Sequence, residues 1–364
     1  MVEWKTVSEV CECNRGVRVI KKDLSESGLY PVFQNSLKPM GYYCRSNFDA
    51  NTPFVITAGA AGDVGSCKEA FWAADDCLCL KCSNIVNNKF VLFFLETKQF
   101  YFKSQVRMGA IPRLSRKVVE SLPIPIPPLS EQNRIVGILD TFTESIENLK
   151  KQITERKKQY EHYRDQLLDF SEEEVEFKSL KEIVKSYCTG ATPKKSNLGY
   201  YEGGTIPWLR TQDVKFNEIY EINSFVTNVA VEETGIKWIP ANCVIVAISG
   251  ATAGRCAINK IPTTTNQHCL NLEIDSMKAL YKYVYFCVYN AYSEMISKKQ
   301  GARGDLNTSI ILGIKIPVPS LEEQQRIVSI LDTFEASIAN LEAQLSLRQK
   351  QYEYYRNMLL TFDE

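Results

Sequence analysis

The chain has 364 residues, 45% of them apolar, and its 43 basic side chains are matched by 43 acidic ones. That length can bury more than one core, whereas no stretch reaches the roughly 18 uninterrupted apolar residues of a membrane span, and the N-terminus MVEWKTVSEV lacks a signal-peptide layout, so a cytosolic protein with no membrane partner is expected. Neutrality argues against nucleic acid unless the charge is unevenly spread, and twelve cysteines in a reducing compartment imply thiols rather than disulfides.

Residues 1–128 read as a mixed α/β globular unit. Cys11-Glu-Cys13 and Cys77-Leu-Cys79-Leu-Lys-Cys82 come nearest to a metal pattern, but a zinc site needs two well-separated pairs of ligands, and the alternation from Cys77 to Leu80 suits a buried strand. No metal is expected. Gly59, Gly62 and Gly65 lack a helix-opening lysine and read as a tight turn between strands. Asp76 with Glu96-Thr-Lys98 has the outline of a metal-assisted nuclease. Its setting, Val91-Leu-Phe-Phe-Leu95, instead suits a buried helix or strand, and the counterpart Tyr281–Phe286 carries no such acid.

Pro127-Pro128 ends this unit and opens a helix over 129–170, with Ser130 placed to cap it and Glu131 favouring its N-terminus. Ile135, Leu139, Phe142, Ile146 and Leu149 begin a stripe in steps of four and three that runs on to Leu167, the seam of a coiled coil about 57 Å long. A second globular unit follows over 171–320. A second helix over 321–364 repeats the seam with Ile327, Leu331, Phe334, Ile338 and Leu341.

The helices are copies. Residues 124–170 align with 316–362 without a gap, at an offset of 192 and with 29 identities in 47 positions. The same offset relates Gly109–Leu114 to Gly301–Leu306, while Ala58–Cys67 echoes Ser249–Cys256 and Asp75-Asp76 falls roughly at Asn266-Gln267. The chain is therefore two copies of one unit, a divergent head followed by a near-invariant helix. Each seam would expose too much apolar surface alone, so the other copy is its expected partner. Because the second head begins near Val175, directly after the first helix, an antiparallel pair is predicted. The fold class follows: α+β, two mixed α/β domains joined by a long antiparallel two-helix coiled coil, pseudo-two-fold symmetric. Arg156 and Arg348 fall on the seam, there either to fix register or to reach solvent along their stems.

Catalytic chemistry finds no support. A methyltransferase would need a glycine-rich cofactor loop and an Asn or Asp-Pro-Pro-aromatic motif, and a motor would need a P-loop; neither is present. The only histidines are His162, at a packing or surface position of the first helix, and His268, read as a core residue, and no nucleophile-base pairing recurs in both halves. No catalytic residue and no cofactor are expected. The helices mix Glu with their Lys and Arg, whereas the heads concentrate cations. Arg15, Lys21, Lys22 and Arg113 in the first head, with Lys194, Lys195, Arg210, Gln212 and Arg303 in the second, are candidates for DNA contact, since Arg and Lys bridge guanine acceptors and Gln pairs with adenine. Two unlike heads at a fixed separation suit a bipartite target such as DNA half-sites. A two-headed adaptor that binds proteins is the alternative, and a steep fall of duplex binding with salt separates the two.

The PLSEQ-R-I-V-ILD and PSLEEQ-R-I-V-ILD starts, the two long helices, and Thr189-Gly-Ala-Thr-Pro193 with Gly203-Gly-Thr-Ile-Pro-Trp208 resemble the specificity subunit of type I restriction-modification systems. The resemblance covers essentially the whole chain. It implies that each head is a target-recognition domain reading one half of a split, asymmetric double-stranded DNA sequence. It further implies that the helices set the spacer and dock two modification methyltransferase subunits, to which restriction translocase and nuclease subunits add. The first head lacks the Gly-Ala-Thr-Pro run, which implies a different recognition subclass.

Overall fold

The computed structural model describes residues 2–298 and 305–362, apart from the side chain of Lys21. It divides into two compact units, 1–152 with 341–364 and 153–340. Each unit therefore combines one head with part of both long helices.

In the first unit a strand β1 (Glu3–Thr6) leads through a one-turn helix α1 (Val7–Val10) into β2 (Cys11–Arg15). Then come β3 (Tyr30–Phe33), β4 (Tyr42–Tyr43), β5 (Phe54–Ile56), β6 (Val64–Gly65), β7 (Trp72–Ala73) and β8 (Cys77–Cys82). Helices α2 (Asn88–Thr97), α3 (Gln99–Ser104) and α4 (Arg116–Glu120) precede β9 (Pro123–Ile126) and the long α5 (Leu129–Leu167). The second unit repeats this plan with β10 (Phe177–Ser179), α6 (Leu180–Ile183), β11 (Val184–Thr189), β12 (Ile206–Leu209), β13 (Asn217–Ile219) and β14 (Phe225–Val226). It continues through α7 (Asn228–Thr234), β15 (Trp238–Ile239), β16 (Val244–Ala247), β17 (Cys256–Asn259), β18 (Thr263–Thr265) and β19 (Cys269–Ile274). Helices α8 (Tyr281–Asn290), α9 (Tyr292–Ser297) and α10 (Thr308–Leu312), strand β20 (Lys315–Pro317) and the long α11 (Leu321–Leu359) complete it.

The sheets show the duplication that the heads' sequences hide. The order β2-β8-β5-β6 in the first unit recurs as β11-β19-β16-β17 in the second, with β13 added, and β4-β3-β7 recurs as β14-β12-β18, with β15 added. In both smaller sheets the central pair, β3/β7 or β12/β18, is parallel. Strand β8 is buried on both faces. Leu78 and Leu80 pack into the cluster containing Phe90, Phe94 and Ile135, while Cys77 and Cys79 pack against Phe33, Phe54 and Phe71. Two-sided burial is why CLCL is apolar at every position instead of alternating. In β19, Leu270 and Leu272 likewise face the cluster with Tyr283 and Phe286, and Cys269 faces the other side.

A buried glutamine fixes each long helix to its head. Gln132 Nε2 donates to Pro127 O (2.8 Å) and Ile85 O (3.1 Å), while its Oε1 accepts from the Asn87 N–H (2.8 Å). Gln324 does the same with Pro319 O (2.9 Å), Lys278 O (3.4 Å) and the Leu280 N–H (2.8 Å). About two turns beyond each glutamine, Asp140 pairs with Lys89 at 2.7 Å and Asp332 with Lys282 at 2.8 Å; the aspartates match at the 192-residue offset, and the lysines one residue off it. Ser130 is not the cap expected of it. Helix α5 begins one residue earlier, with Glu131 and Gln132 N–H bonding Pro128 O, and the capping hydroxyl belongs to the second copy, where Ser320 Oγ accepts from the Glu323 N–H at 3.2 Å.

Within each unit the helix segments run antiparallel, because an early residue of one meets a late residue of the other. Phe142 stacks on Tyr355 in the first unit and Phe334 on Tyr163 in the second, each with centroids 5.3 Å apart. Arg348 lies over the Phe142 ring at 5.6 Å and Arg156 over the Phe334 ring at 5.8 Å. The seam arginines thus neither point to free solvent nor substitute for a hydrophobe; they cap aromatic pairs, where a guanidinium gains from the ring quadrupole. Ile135, Leu139, Ile327 and Leu331 are fully buried against the heads, whereas Ile146, Leu149, Ile338 and Leu341 are half-buried. Among the described residues no helix is long and apolar enough to cross a membrane.

Candidate nucleic-acid interface

Each head presents a polar cavity where the chain leaves its first long strand. After β2 the backbone turns at Gly16, whose added Cβ would sit 2.2 Å from Ala74 O; after β11 it turns at Gly190, 1.8 Å from Thr265 O. Only glycine permits either approach. The next residue offers its carbonyl to an indole: Val17 O accepts from Trp72 Nε1 at 2.8 Å, and Ala191 O from Trp208 Nε1 at 3.1 Å. The tryptophans sit on opposite members of the parallel pair, Trp72 on β7 facing Val32 and Trp208 on β12 facing Thr264. The first head therefore has the counterpart of the Gly-Ala-Thr-Pro site, built from Gly16-Val17 and a tryptophan moved across to the neighbouring strand. The shared glycine directly after the strand was the one signal in the sequence.

The turn entering β8 gives Asp76 to a cavity of the first head, and the turn entering β19 gives Asn266, Gln267 and His268 to one of the second. Cys77 N–H bonds Ala74 O at 3.0 Å and Cys269 N–H bonds Asn266 O at 3.1 Å. This register places Asp75 at Gln267 and Asp76 at His268, one residue later than the sequence match to Asn266-Gln267 suggests. His268 is exposed in this turn, not a core residue. Thr263 to Asn266 and Cys269 to Leu272 are buried, and Gln267 and His268 form the exposed turn that joins β18 to β19.

In the first unit Arg15, Arg113 and Arg116 line a cavity of about 310 Å³ together with Thr57 and Asp76. Arg15 Nε donates to Asp75 O at 2.5 Å, and Arg116 donates to Cys13 O at 2.8 Å while pairing with Glu120. Asp75 Oδ1 is buried and, among the described residues, without a hydrogen-bond partner. Lys22 is exposed in the one-turn segment Lys21–Asp23 and does not line this cavity; the side chain of Lys21 lies outside the described residues. In the second unit Lys195 and Arg210 meet Trp208, Tyr201, Gln267 and His268 around a cavity of about 520 Å³. The Arg210 guanidinium is 5.9 Å from the Trp208 ring, and its Nε is buried with no partner among the described residues. Thr192 hydrogen-bonds the Gln267 side chain. Lys194 and Gln212 are exposed but do not line the cavity, and Arg303 lies outside the described residues, as does Lys299.

These cavities combine guanidinium, amide, imidazole and carboxylate groups, the donors and acceptors that read base edges. The acidic triplet does not assemble. Glu96 turns to the Tyr352 hydroxyl (2.9 Å) and Arg356 (3.6 Å), Lys98 lies over the Phe94 ring at 5.1 Å, and Asp76 lines the other cavity with Gln34 at 3.4 Å. Burial pushes the Cys13 and Cys77 thiols up to about 12, so neither offers a thiolate at neutral pH.

Comparison with known proteins agrees with this architecture. The family model for the type I restriction modification DNA specificity domain matches residues 1–156 and again 172–347, once per copy. The specificity subunit of the Escherichia coli type I restriction enzyme EcoR124I/EcoR124II is 37% identical over 290 residues, covering 75% of this chain and 70% of that protein. A crystal structure of the type I restriction-modification S subunit from M. genitalium superposes with a TM-score of 0.69 at 18% identity, over 100% of this chain and 97% of that one. The HsdS subunit of Thermoanaerobacter tengcongensis gives 0.51 at 15% identity, over 99% and 96%. With the same domain model fitted to both halves of a duplicated fold, the chain belongs to the family of type I restriction-modification DNA specificity subunits.

Proposed function

We propose that this chain is the DNA-reading, non-catalytic subunit of a cytoplasmic type I restriction-modification complex. Residues 1–128 and 171–320 each read one half of a split, asymmetric duplex sequence, and the helix pair sets the spacer. The helices also dock two methyltransferase subunits, which restriction subunits join. The observation that carries this is the contrast between the copies. The two heads share one sheet order, yet the turn differs at its two central positions, Asp75 against Gln267 and Asp76 against His268, of which Asp76, Gln267 and His268 line cavities, whereas the buried helix anchors Gln132 and Gln324 are identical. Heads that keep one sheet order while their polar turn residues differ are what two different base sequences demand. Arg15 in the first head and Lys195 and Arg210 in the second are the base contacts supported by the cavities; Arg113 at the first cavity, with Lys22, Lys194 and Gln212, stands as a phosphate contact beside them.

The test replaces residues 1–128 with the first head of another specificity subunit and maps adenine methylation in cells that also express the methyltransferase. One half of the methylated sequence is expected to change, with the other half and the spacer kept. An unchanged methylated sequence would refute the reading.

A further inference from the structure

Between α3 and α4 of the first head the chain makes a small hairpin. Arg107 and Arg113 exchange both backbone hydrogen bonds, at 2.8 and 3.1 Å, and enclose the tip Met108-Gly-Ala-Ile-Pro112. The base is tied to the domain: Arg113 bridges Ala58, Gly59 N–H bonds Pro112 O at 3.2 Å, and Leu114 N–H bonds Thr57 O at 2.9 Å. The tip itself stands clear. Met108 is 83% exposed and Ile111 55%. An added Cβ at Gly109 would meet nothing nearer than Ile111 O at 3.9 Å.

Two features of this hairpin are unfavourable in the free protein. Apolar side chains at the tip have no core to enter. Directly opposed residues of an antiparallel bridge put their side chains on one face, so Arg107 and Arg113 set like charges side by side. Among the described residues no ion pair holds either guanidinium. A polyanion relieves the second strain and a stack of apolar planes relieves the first, and duplex DNA provides both. Met and Arg also suit protein interfaces, but two cations set side by side favour the regular row of anions along a duplex, which stands beside apolar base planes. We propose that Met108 and Ile111 form a wedge that enters a base step of the half-site read by the first head, with Arg107 and Arg113 holding the flanking phosphates. Apolar wedges flanked by cations unstack a step and kink the duplex. The proposal rests on the DNA-reading function given above. It also makes the heads unlike in mechanism: at the 192-residue offset the second copy has Gln300 and Arg303 where Met108 and Ile111 stand, residues outside the described part of the structure.

The experiment uses the full chain assembled with its methyltransferase and a duplex carrying the site found by methylation mapping, with 2-aminopurine placed in turn at each step of the first half-site. Besides the adenine that the methyltransferase flips out, wild type is expected to raise the fluorescence at one further step and to bend the duplex in a paired-dye distance measurement. Met108→Ala with Ile111→Ala is expected to lose both signals while the same sequence is still methylated; both substitutions are exposed, and unchanged thermal unfolding confirms the fold. Met108→Leu with Ile111→Leu restores the signals. Arg107→Ala with Arg113→Ala makes the slope of log affinity against log salt shallower by about 2, close to 0.9 for each phosphate contact removed. Equal fluorescence in wild type and the double alanine variant overturns the wedge. So does failure of the alanine variant to co-purify with the methyltransferase, which assigns the tip to a protein contact. If wild type shows no sequence-specific duplex binding at all, the underlying DNA-reading function has failed instead.

Discussion

Gln132 and Gln324 are polar side chains with no exposed surface, each satisfied by two carbonyls and one amide of its own head. Removing either leaves those backbone groups buried without partners, so Gln132→Ala or Gln324→Ala is expected to destabilise the chain by about 2–3 kcal/mol in chemical denaturation. Both stand in the repeated PLSEQ and PSLEEQ starts, but their identity in the two copies did not reveal that the side chains turn inward, since a glutamine in a first helical turn is more often solvated. Glu96 carries a pH signature. Burial raises its carboxyl above the ordinary 4.5, against the Tyr352 hydroxyl and the Arg356 guanidinium, which lower it. A raised acid binds its proton more tightly in the folded state, so the stabilisation is complete below about 4.5 and is lost as pH rises through the raised value. Gln copies the protonated acid and does not titrate, so wild type and Glu96→Gln are expected to have similar Tm below about pH 4.5 and the wild type to fall below the variant as pH rises through the raised value.

The long helices were legible as elements because a seam in steps of three and four is written into consecutive residues. How tightly each seam position is enclosed was not. Phe142 and Phe334 are half-buried, each between a tyrosine ring and an arginine. Phe142→Ala or Phe334→Ala should consequently cost about 2 kcal/mol, below the 3–5 typical of a fully enclosed phenylalanine, in denaturant titrations. The strand Cys77–Cys82 was readable for a related reason: alternate cysteines and leucines fill two different cores, and an element buried on both faces has no polar period.

At the scale of the molecule, duplication links two different readers to one repeated helix. If the helix pair sets the spacer, adding one heptad to each helix lengthens it by about 10 Å, or about three base pairs. Methylation mapping of that variant is expected to return both half-sites unchanged with a spacer longer by that amount. The sequence by itself determined the copy number of the fold and where each long helix starts, because repetition, proline stops and helical periodicity are properties of residues close together along the chain; the helices end at Leu167 and Leu359, short of the expected 170 and 364. It also marked the heads as the part that diverges. Tertiary structure alone decided that Gly16 matches Gly190, that Trp72 and Trp208 reach equivalent carbonyls from different strands, and which cations share a cavity. Those relations join segments dozens of residues apart through strand pairing, and pairing register depends on how whole sheets bury their faces, which no local pattern in either segment records.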